Sequence, residues 1–160
     1  MSSPIWVINA SPLILLGKLG RTDLLDRLAG AVWVPEAVVR EVAAGPSDAG
    51  QAESLAFSQK QVVSDIPVPP AIQAWDLGAG ESQVLAHCLA DRHLAVLDDG
   101  EARGAAQVLS VPVIGTLGIV LRARRAGLVP AARPLVERLL ECGSYLSAEL
   151  VRQALAKVGE

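Results

Sequence analysis

The sequence predicts an α/β fold in which a mainly parallel sheet is covered by helices on both faces. Short apolar runs rich in β-branched residues alternate with longer segments of helical periodicity along the 160 residues, an order typical of parallel sheets. Hydrophobic residues make up 51% of the chain and charged residues 19%, a balance that supports a buried core and argues against disorder. Neither a repeat nor a low-complexity segment divides the sequence. We therefore expect a single domain over residues 1–160, with a core of about 5–127 and C-terminal helices at about 131–158.

The strands are predicted from short apolar runs that end at turn-forming or polar residues. The first run is Ile5-Trp6-Val7-Ile8, and the later runs have the same buried character. In chain order, the five predicted strands cover residues 5–8, 31–34, 61–64, 94–97 and 111–114.

The helices are predicted from apolar residues at helical spacing and from residues that favour helix starts. Ser11 is the expected N-cap of the first helix, with Pro12 at its first helical position, and Pro35 opens the helix after the second strand. The predicted helices cover residues 13–19, 23–28, 36–44, 48–58, 81–91, 101–109, 115–126, 131–142 and 147–158, with a short helix through Trp75.

Charge and hydropathy exclude two classes of protein. The net charge of −3, from 14 basic and 17 acidic residues, argues against a protein that coats nucleic acid through a generally basic surface. The best apolar run, residues 111–121, is too short for a membrane span and contains Pro112 and Gly115. The first basic residue is Lys18, so the positive start of an export signal is missing, and we expect a cytoplasmic protein.

The cysteines are interpreted as core thiols. Cys88 and Cys142 lie far apart in the sequence, and two cysteines do not make a disulfide framework. With His87 and His93 they could supply four zinc ligands, but without the CxxC or HxxxH spacing of zinc sites. Two helical core thiols in a reducing compartment are the simpler interpretation.

Polar and acidic side chains follow the predicted strands, at the edge where parallel sheets bind ligands. Asn9 and Ser11 follow the first strand, and Asp98 and Asp99 follow the fourth. Glu41 lies in the helix after the second strand. These are therefore the candidate functional residues, together with one glutamate that precedes the fourth strand.

That glutamate is Glu81, in the first turn of its predicted helix. It lies three and four residues before Val84 and Leu85, so it shares their inward face. A carboxylate that points toward a core is costly unless it is paired or binds a cation. The alternative is that Glu81 stabilises the N-terminus of its helix through the macrodipole.

The other acids also have structural alternatives. Asp99 could cap the helix that follows it, and Glu41 could be a solvated helical residue. Asp98 and Asp99 are adjacent carboxylates that repel each other, and a cation would relieve this repulsion. Together, three or four oxygen ligands at one sheet edge favour a Mg²⁺ or Mn²⁺ site that activates water against a phosphodiester. We expect the carboxylates of Glu41, Glu81 and Asp99 to converge on one cation.

Other active-site patterns fail in this sequence. The Gly17-Lys18 pair lacks the upstream glycine of a P-loop, and Gln83 stands where a dinucleotide-binding fingerprint needs glycine. Aspartyl-phosphate chemistry needs an aspartate after the first strand, where this chain has Asn9.

The order of the candidate residues resembles that of the PIN-domain nucleases. Three stretches carry the resemblance: Val7-Ile8-Asn9-Ala10-Ser11-Pro12-Leu13-Ile14, Leu97-Asp98-Asp99-Gly100-Glu101-Ala102-Arg103 and Ile114-Gly115-Thr116-Leu117-Gly118. The last two are the more specific, and they are similar to a prokaryotic subgroup related to the VapC-type toxins. The similarity runs over residues 5–127 and extends to the C-terminal helices.

The resemblance implies a three-layer α/β/α fold and a Mg²⁺- or Mn²⁺-dependent ribonuclease, a hydrolase that cleaves single-stranded RNA. It also implies a toxin–antitoxin role, with a small antitoxin protein as partner and a homodimer as the assembly. By position, Glu41, Glu81 and Asp99 fall on the acids of the family, and Asp98 is their neighbour. Ser11 matches the small hydroxyl residue of the first motif.

Asn9 departs from the family pattern, which usually has its first aspartate at this position. An amide oxygen can ligate a metal but brings no charge, so it should weaken Mg²⁺ binding and the activation of water. The alternative function is therefore a catalytically weak or inactive PIN-like module that binds nucleic acid or a protein.

A basic segment could contact phosphates. Between residues 101 and 138 the sequence has six arginines and two glutamates, and arginine suits bidentate phosphate contacts. The alternative is a solvated helix surface in a chain whose basic residues are mostly arginine. Arg103 lies one helical turn after Asp99, so we expect it to pair with Asp99 or Glu81, or to contact a substrate phosphate.

Overall fold

The sheet is built from the apolar runs of the sequence. Within residues 4–160, which the computed structural model describes, these runs form β1 (Ile5–Ile8), β2 (Ala31–Pro35), β3 (Val62–Val63), β4 (Leu94–Val96) and β5 (Val113–Ile114). All neighbouring strands pair in parallel, in the order β3-β2-β1-β4-β5. The predicted five-stranded parallel sheet is therefore confirmed.

Helices form the outer layers of a three-layer α/β/α sandwich, as predicted. In the described residues they are α1 (Ala10–Leu19), α2 (Asp23–Leu28), α3 (Glu36–Ala44), α4 (Ala49–Lys60), α5 (Pro70–Gln73), α6 (Ala79–Asp91), α7 (Gly100–Val108), α8 (Thr116–Arg125), α9 (Arg133–Glu141) and α10 (Ala148–Ala156). None of the helices in residues 4–160 combines the length and the apolar character that a membrane crossing requires.

β1 lies at the centre of both the sheet and the core. Its residues Trp6, Val7 and Ile8 are at most 1% exposed. They are buried because strands flank β1 on both sides, with Trp6 in register with Val32 of β2 and Leu94 of β4. This position explains the continuous apolar character of the run.

The strand order creates a switch point between β1 and β4. From β1 the chain builds β2 and β3 on one side, and after α6 it adds β4 and β5 on the other side. Asn9, directly after β1, donates its backbone N–H to the Val96 carbonyl of β4 at 3.1 Å. The carboxyl ends of these two strands therefore lie side by side, where open parallel sheets bind their ligands.

The start of α1 differs from the prediction. The helix begins at Ala10 with Asn9 as its N-cap, so Ser11 and Pro12 lie inside the first turn. The Asn9 carbonyl accepts a bond from the Leu13 N–H at 3.4 Å, and proline is tolerated in the first turn because those N–H groups have no helical partner. Ser11 is therefore an exposed residue of the first turn and does not cap the helix.

One arginine forms hydrogen bonds between the C-terminal helix α9 and the first helix, α1. The guanidinium of Arg138 in α9 donates to the carbonyls of Lys18 and Leu19 at 3.0 Å each. These carbonyls are at the end of α1, where helical acceptors lack partners and a cation is favourable.

The two cysteines are free, and their environments differ. Cys88 is a core thiol as predicted, and burial raises its pKa to about 12. The interpretation of Cys142 as a helical core thiol is wrong, because this residue is the C-cap that follows α9 and is only half-buried.

Candidate active site

The residues predicted from the sequence line one cavity at the carboxyl edge of the sheet. The cavity has a volume of about 1170 Å³. Its wall includes Asn9, Ser11, Glu41, Glu81, Asp98, Asp99 and Arg103. The fold thus brings together side chains that follow β1 and β4 with side chains from α3, α6 and α7.

Asn9, Glu41 and Gly80 meet where β1, α3 and α6 come together. The Asn9 side chain is 4% exposed, and its Oδ1 has no hydrogen-bond partner among the described residues. Glu41 Oε1 accepts the backbone N–H of Gly80 at 3.0 Å. A Cβ at position 80 would lie 2.6 Å from Glu41 Oε1 and 3.1 Å from Asn9 Oδ1, so both oxygens border the same small space. A buried acceptor without a donor is an atom that a cation would satisfy.

Glu81 faces the cavity from the first turn of α6. Partial burial raises the pKa of its carboxyl above the usual range, and the nearby carboxylate of Asp99 and, to a smaller extent, that of Glu41 raise it further. Glu81 therefore lies within electrostatic reach of both Asp99 and Glu41. Glu81 also lies at the start of α6, where a carboxylate stabilises the helix through the macrodipole. A role in cation binding and a role in helix stability are therefore compatible for this residue.

The adjacent aspartates point to different helices. Asp99 is the N-cap of α7, and its Oδ2 accepts the Ala102 N–H at 3.0 Å, which is the capping alternative. Asp98 turns to α8, where its Oδ1 accepts the Thr116 backbone N–H at 2.8 Å and its Oδ2 accepts the Thr116 hydroxyl at 2.6 Å. Both oxygens of Asp98 thus hold the start of α8.

Thr116 and Gly80 are site positions to which the sequence pattern assigned no role. The available signal for Thr116 was a hydroxyl residue at the first position of a helix directly after a strand. The signal for Gly80 was a glycine directly before an inward-facing glutamate. Thr116 has its role because Asp98 binds it, and Gly80 has its role because Glu41 binds it. Neither signal in the sequence identifies these partners, since each comes from another element.

Arg103 does not pair with Asp99 or Glu81, so the expected ion pair is wrong. Its Nη1 donates to the Leu97 carbonyl beyond the end of β4 at 3.0 Å, and residues 4–160 contain no ion pair that involves Arg103. The physical reason is that Asp99 caps its own helix, which turns its carboxylate toward the helix start. Gly115 leaves room for the guanidinium, since a Cβ there would lie 2.8 Å from Arg103 Nη1.

The basic segment contributes three arginines to the cavity wall, of which Arg103 is bonded to the Leu97 carbonyl. Four of its six arginines are held by other parts of the chain. Arg103 and Arg138 donate to main-chain carbonyls, and Arg124 and Arg133 contact Glu160. Arg122 and Arg125, in the last turn of α8, line the cavity. The structural alternative therefore holds for most of the segment, and the phosphate-binding interpretation is narrowed to these two residues.

The donors around the cavity suit a hydrated hard cation. Carboxylate and amide oxygens are the ligands that Mg²⁺ and Mn²⁺ prefer, and the buried Asn9 Oδ1 lacks a partner within the described chain. Within residues 4–160, however, no three His, Cys, Asp or Glu side chains form a group that could hold a metal ion. Glu41 and Asp99 each accept a backbone N–H at a helix start with one carboxylate oxygen. The convergence of Glu41, Glu81 and Asp99 on one cation stays a prediction. Mg²⁺ commonly keeps several waters and binds through one or two carboxylates, which these donors can supply.

Comparison with known proteins places the chain in a family. No curated protein is significantly similar to it. A family model described as a PIN domain matches residues 5–160. The match includes the C-terminal helices and agrees with the parallel α/β/α sandwich. The chain therefore belongs to the PIN-domain family.

Proposed function

We propose that this chain is an endoribonuclease that uses Mg²⁺ or Mn²⁺ to hydrolyse phosphodiester bonds of single-stranded RNA. PIN domains are generally nucleases. The observation that carries the proposal is the buried Asn9 Oδ1, unpartnered among the described residues, beside Glu41 in a cavity that Glu81 and Asp99 also line. Oxygen donors of these kinds around one space suit a hard cation better than an apolar ligand.

Asn9, Glu41, Glu81 and Asp99 are the residues that would hold the cation. When bound, a divalent ion supplies a more acidic water molecule and stabilises charge on the phosphodiester. Because one of the four donors is neutral, the metal-free site has less internal repulsion than four carboxylates would have. For the same reason, the ion is held less tightly.

The side chains of the protein bind the RNA and handle the proton. Glu81 lines the cavity from the first turn of α6, and we assign its carboxylate the proton of the attacking water. Arg122 and Arg125 bind phosphates that flank the scissile bond. Asp98 is a positioning residue, because its bonds to Thr116 fix the start of α8, the helix that carries both arginines.

A second candidate function is a catalytically weak or inactive module that binds nucleic acid or a protein on the same fold. Two observations favour it: the neutral Asn9 in the donor set, and the lack of a metal-holding group of three acids within residues 4–160. The two candidates agree on binding and differ in cleavage, so a cleavage assay separates them.

In its finer form, the first candidate is the toxin of a toxin–antitoxin pair, a homodimer with a small antitoxin partner. The similarity of residues 97–103 and 114–118 to a prokaryotic subgroup related to the VapC-type toxins supports this form. Expression of the chain should then arrest growth, and the product of an adjacent small reading frame should relieve the arrest. Normal growth at high expression would contradict the toxin role.

The cleavage assay compares two glutamate variants on single-stranded RNA with Mn²⁺. Glu81 and Glu36 are both first-turn glutamates, so Glu81→Gln and Glu36→Gln remove the same kind of helix-start charge. Glu36 is exposed and lies outside the cavity wall. We expect Glu81→Gln to lower the cleavage rate by about 100-fold or more, as for a lost general base, and Glu36→Gln to match the wild type.

The controls decide between the candidates. Wild-type cleavage should disappear with EDTA and return with Mn²⁺. If the wild type binds RNA but does not cleave it, the binding module is the correct function. If both variants cleave as the wild type does, Glu81 has no catalytic role.

A further inference from the structure

Tyr145 is the only tyrosine of the chain, and its side chain is fully exposed. The other aromatic residues behave differently: Trp6 is buried in the core, while Trp33, Phe57 and Trp75 pack against it. An aromatic ring with its full surface in water gains nothing for folding. The ring of Tyr145 is therefore accessible to another molecule.

The loop that carries Tyr145 is fixed at both ends. Gly143, with a φ of +89°, donates its N–H to the Leu140 carbonyl at 3.1 Å and ends α9 in the left-handed conformation that favours glycine. Ser147 caps α10 by accepting the Leu150 N–H at 3.1 Å. Tyr145 thus lies on a short connection between two anchored helix ends, which limits the conformational entropy lost when its ring binds a flat partner.

Tyr145 lines the same cavity as the candidate catalytic acids. Arg122 and Arg125 line this cavity too, and Lys157 of the C-terminal segment is also in its wall. This cavity, or groove, is therefore lined by three kinds of side chain: acidic residues for catalysis, basic residues that can bind phosphates, and an exposed aromatic ring. This combination matches the three parts of a nucleotide chain: the scissile bond, the flanking phosphates and the bases.

We propose that Tyr145 is a stacking platform for an unpaired base of the RNA strand, and that it gives the groove its preference for single strands. This inference rests on the proposed ribonuclease function. The bases of a single strand expose their flat faces to a protein ring, whereas the bases of a duplex are stacked on one another. A strand whose phosphates bind Arg122 and Arg125 presents a base to Tyr145, and a duplex does not.

The test measures the binding of a short single-stranded ribo-oligonucleotide that contains the fluorescent base 2-aminopurine, in EDTA so that no cleavage occurs. Stacking on an aromatic ring quenches this base. We expect quenching on binding to the wild type and to Tyr145→Phe, which keeps the ring. Tyr145→Ala should lose the quenching and bind about ten-fold more weakly, within the range measured for base stacking on aromatic residues. Val108→Ala, at an exposed position outside the cavity wall, should match the wild type.

Duplex RNA of the same sequence provides the second measurement, since Tyr145→Ala should leave its weak binding unchanged. If the wild type binds the single strand and Tyr145→Ala retains the same affinity and quenching, the stacking role is wrong and the ribonuclease function stands. If the wild type fails to bind the single strand at all, this inference is wrong, and the cleavage assay with Mn²⁺ decides the ribonuclease function separately.

Discussion

Asn9 affects the charge of the cavity from a position that is 4% exposed. An aspartate there would put a further carboxylate next to Glu41, and two like charges 4 Å apart repel by about 4 kcal/mol at an effective dielectric constant of about 20. The amide avoids this repulsion, and it also lacks one unit of attraction for a cation. The metal-free protein is therefore more stable with asparagine than with aspartate at position 9. For the same reason, asparagine makes the binding of a metal ion weaker than aspartate would.

Asn9→Asp should tighten Mn²⁺ binding by about ten-fold or more, because the new charge acts at short range in a partly buried site. The measurement is isothermal titration calorimetry with Mn²⁺. The melting temperature without metal should fall, and Mn²⁺ should restore it. Asn9→Ala, which removes the donor oxygen, should bind Mn²⁺ more weakly than the wild type. Unchanged or weaker binding by Asn9→Asp would mean that position 9 does not contact the metal.

At the scale of elements, a polar contact joins α3 to the start of α6. Glu41 accepts the Gly80 N–H in the first turn of α6, where the donors of a helix have no internal partners. The carboxylate also lies at the positive end of the helix dipole, which favours an anion. The two helices approach this closely because position 80 has no Cβ.

Gly80→Ala should therefore lower the free energy of unfolding by about 1–3 kcal/mol, the usual cost of overpacking. Its Cβ would come within 2.6 Å of Glu41 Oε1, so the helix start or the carboxylate must move. The matched control is Gly104→Ala in α7, where the nearest atom would lie at 4.0 Å. There the same change should stabilise the protein by up to about 1 kcal/mol through helix propensity. Urea denaturation measures both, and equal stability of the two variants would contradict the close approach at position 80.

The elements were predictable from local pattern, whereas the contacts between them were not. The five strand runs depend on neighbouring residues and were predicted, although β3 and β5 are shorter than expected. The cap at Asp99 was one of the two alternatives for that residue. The start of α1 was misplaced because Asn9 and Ser11 are both good caps, and the turn after β1 chooses between them. The partners of Arg103 and Asp98 come from other elements across the switch point, so sequence spacing could not identify them.

At the scale of the whole molecule, α6 connects the cavity to the edge of the sheet. Beyond Glu81, the same helix carries His87, which is buried beside the Trp33 ring. His87 Nε2–H donates to the Ser64 carbonyl after β3 at 3.1 Å. Burial lowers the pKa of His87, although the bond to Ser64 and the charge of Asp65 oppose the shift. Protonation of this buried ring is therefore coupled to unfolding.

The contribution of His87 to the stability of the protein should fall as the pH drops from about 7 to 5. His87 binds a proton more readily in the unfolded chain, where its pKa is about 6.5, than in the folded protein, where the pKa is lower. The free energy of unfolding therefore rises with pH between these two pKa values, by at most about 1.4 kcal/mol per pH unit for one proton. His87→Gln, which keeps an amide donor for Ser64, should lower stability at every pH by weakening the contact with Trp33, and it should flatten the slope between pH 5 and 7. Urea titrations at several pH values measure the slope. A variant with the wild-type slope would show that the pH dependence does not originate at His87.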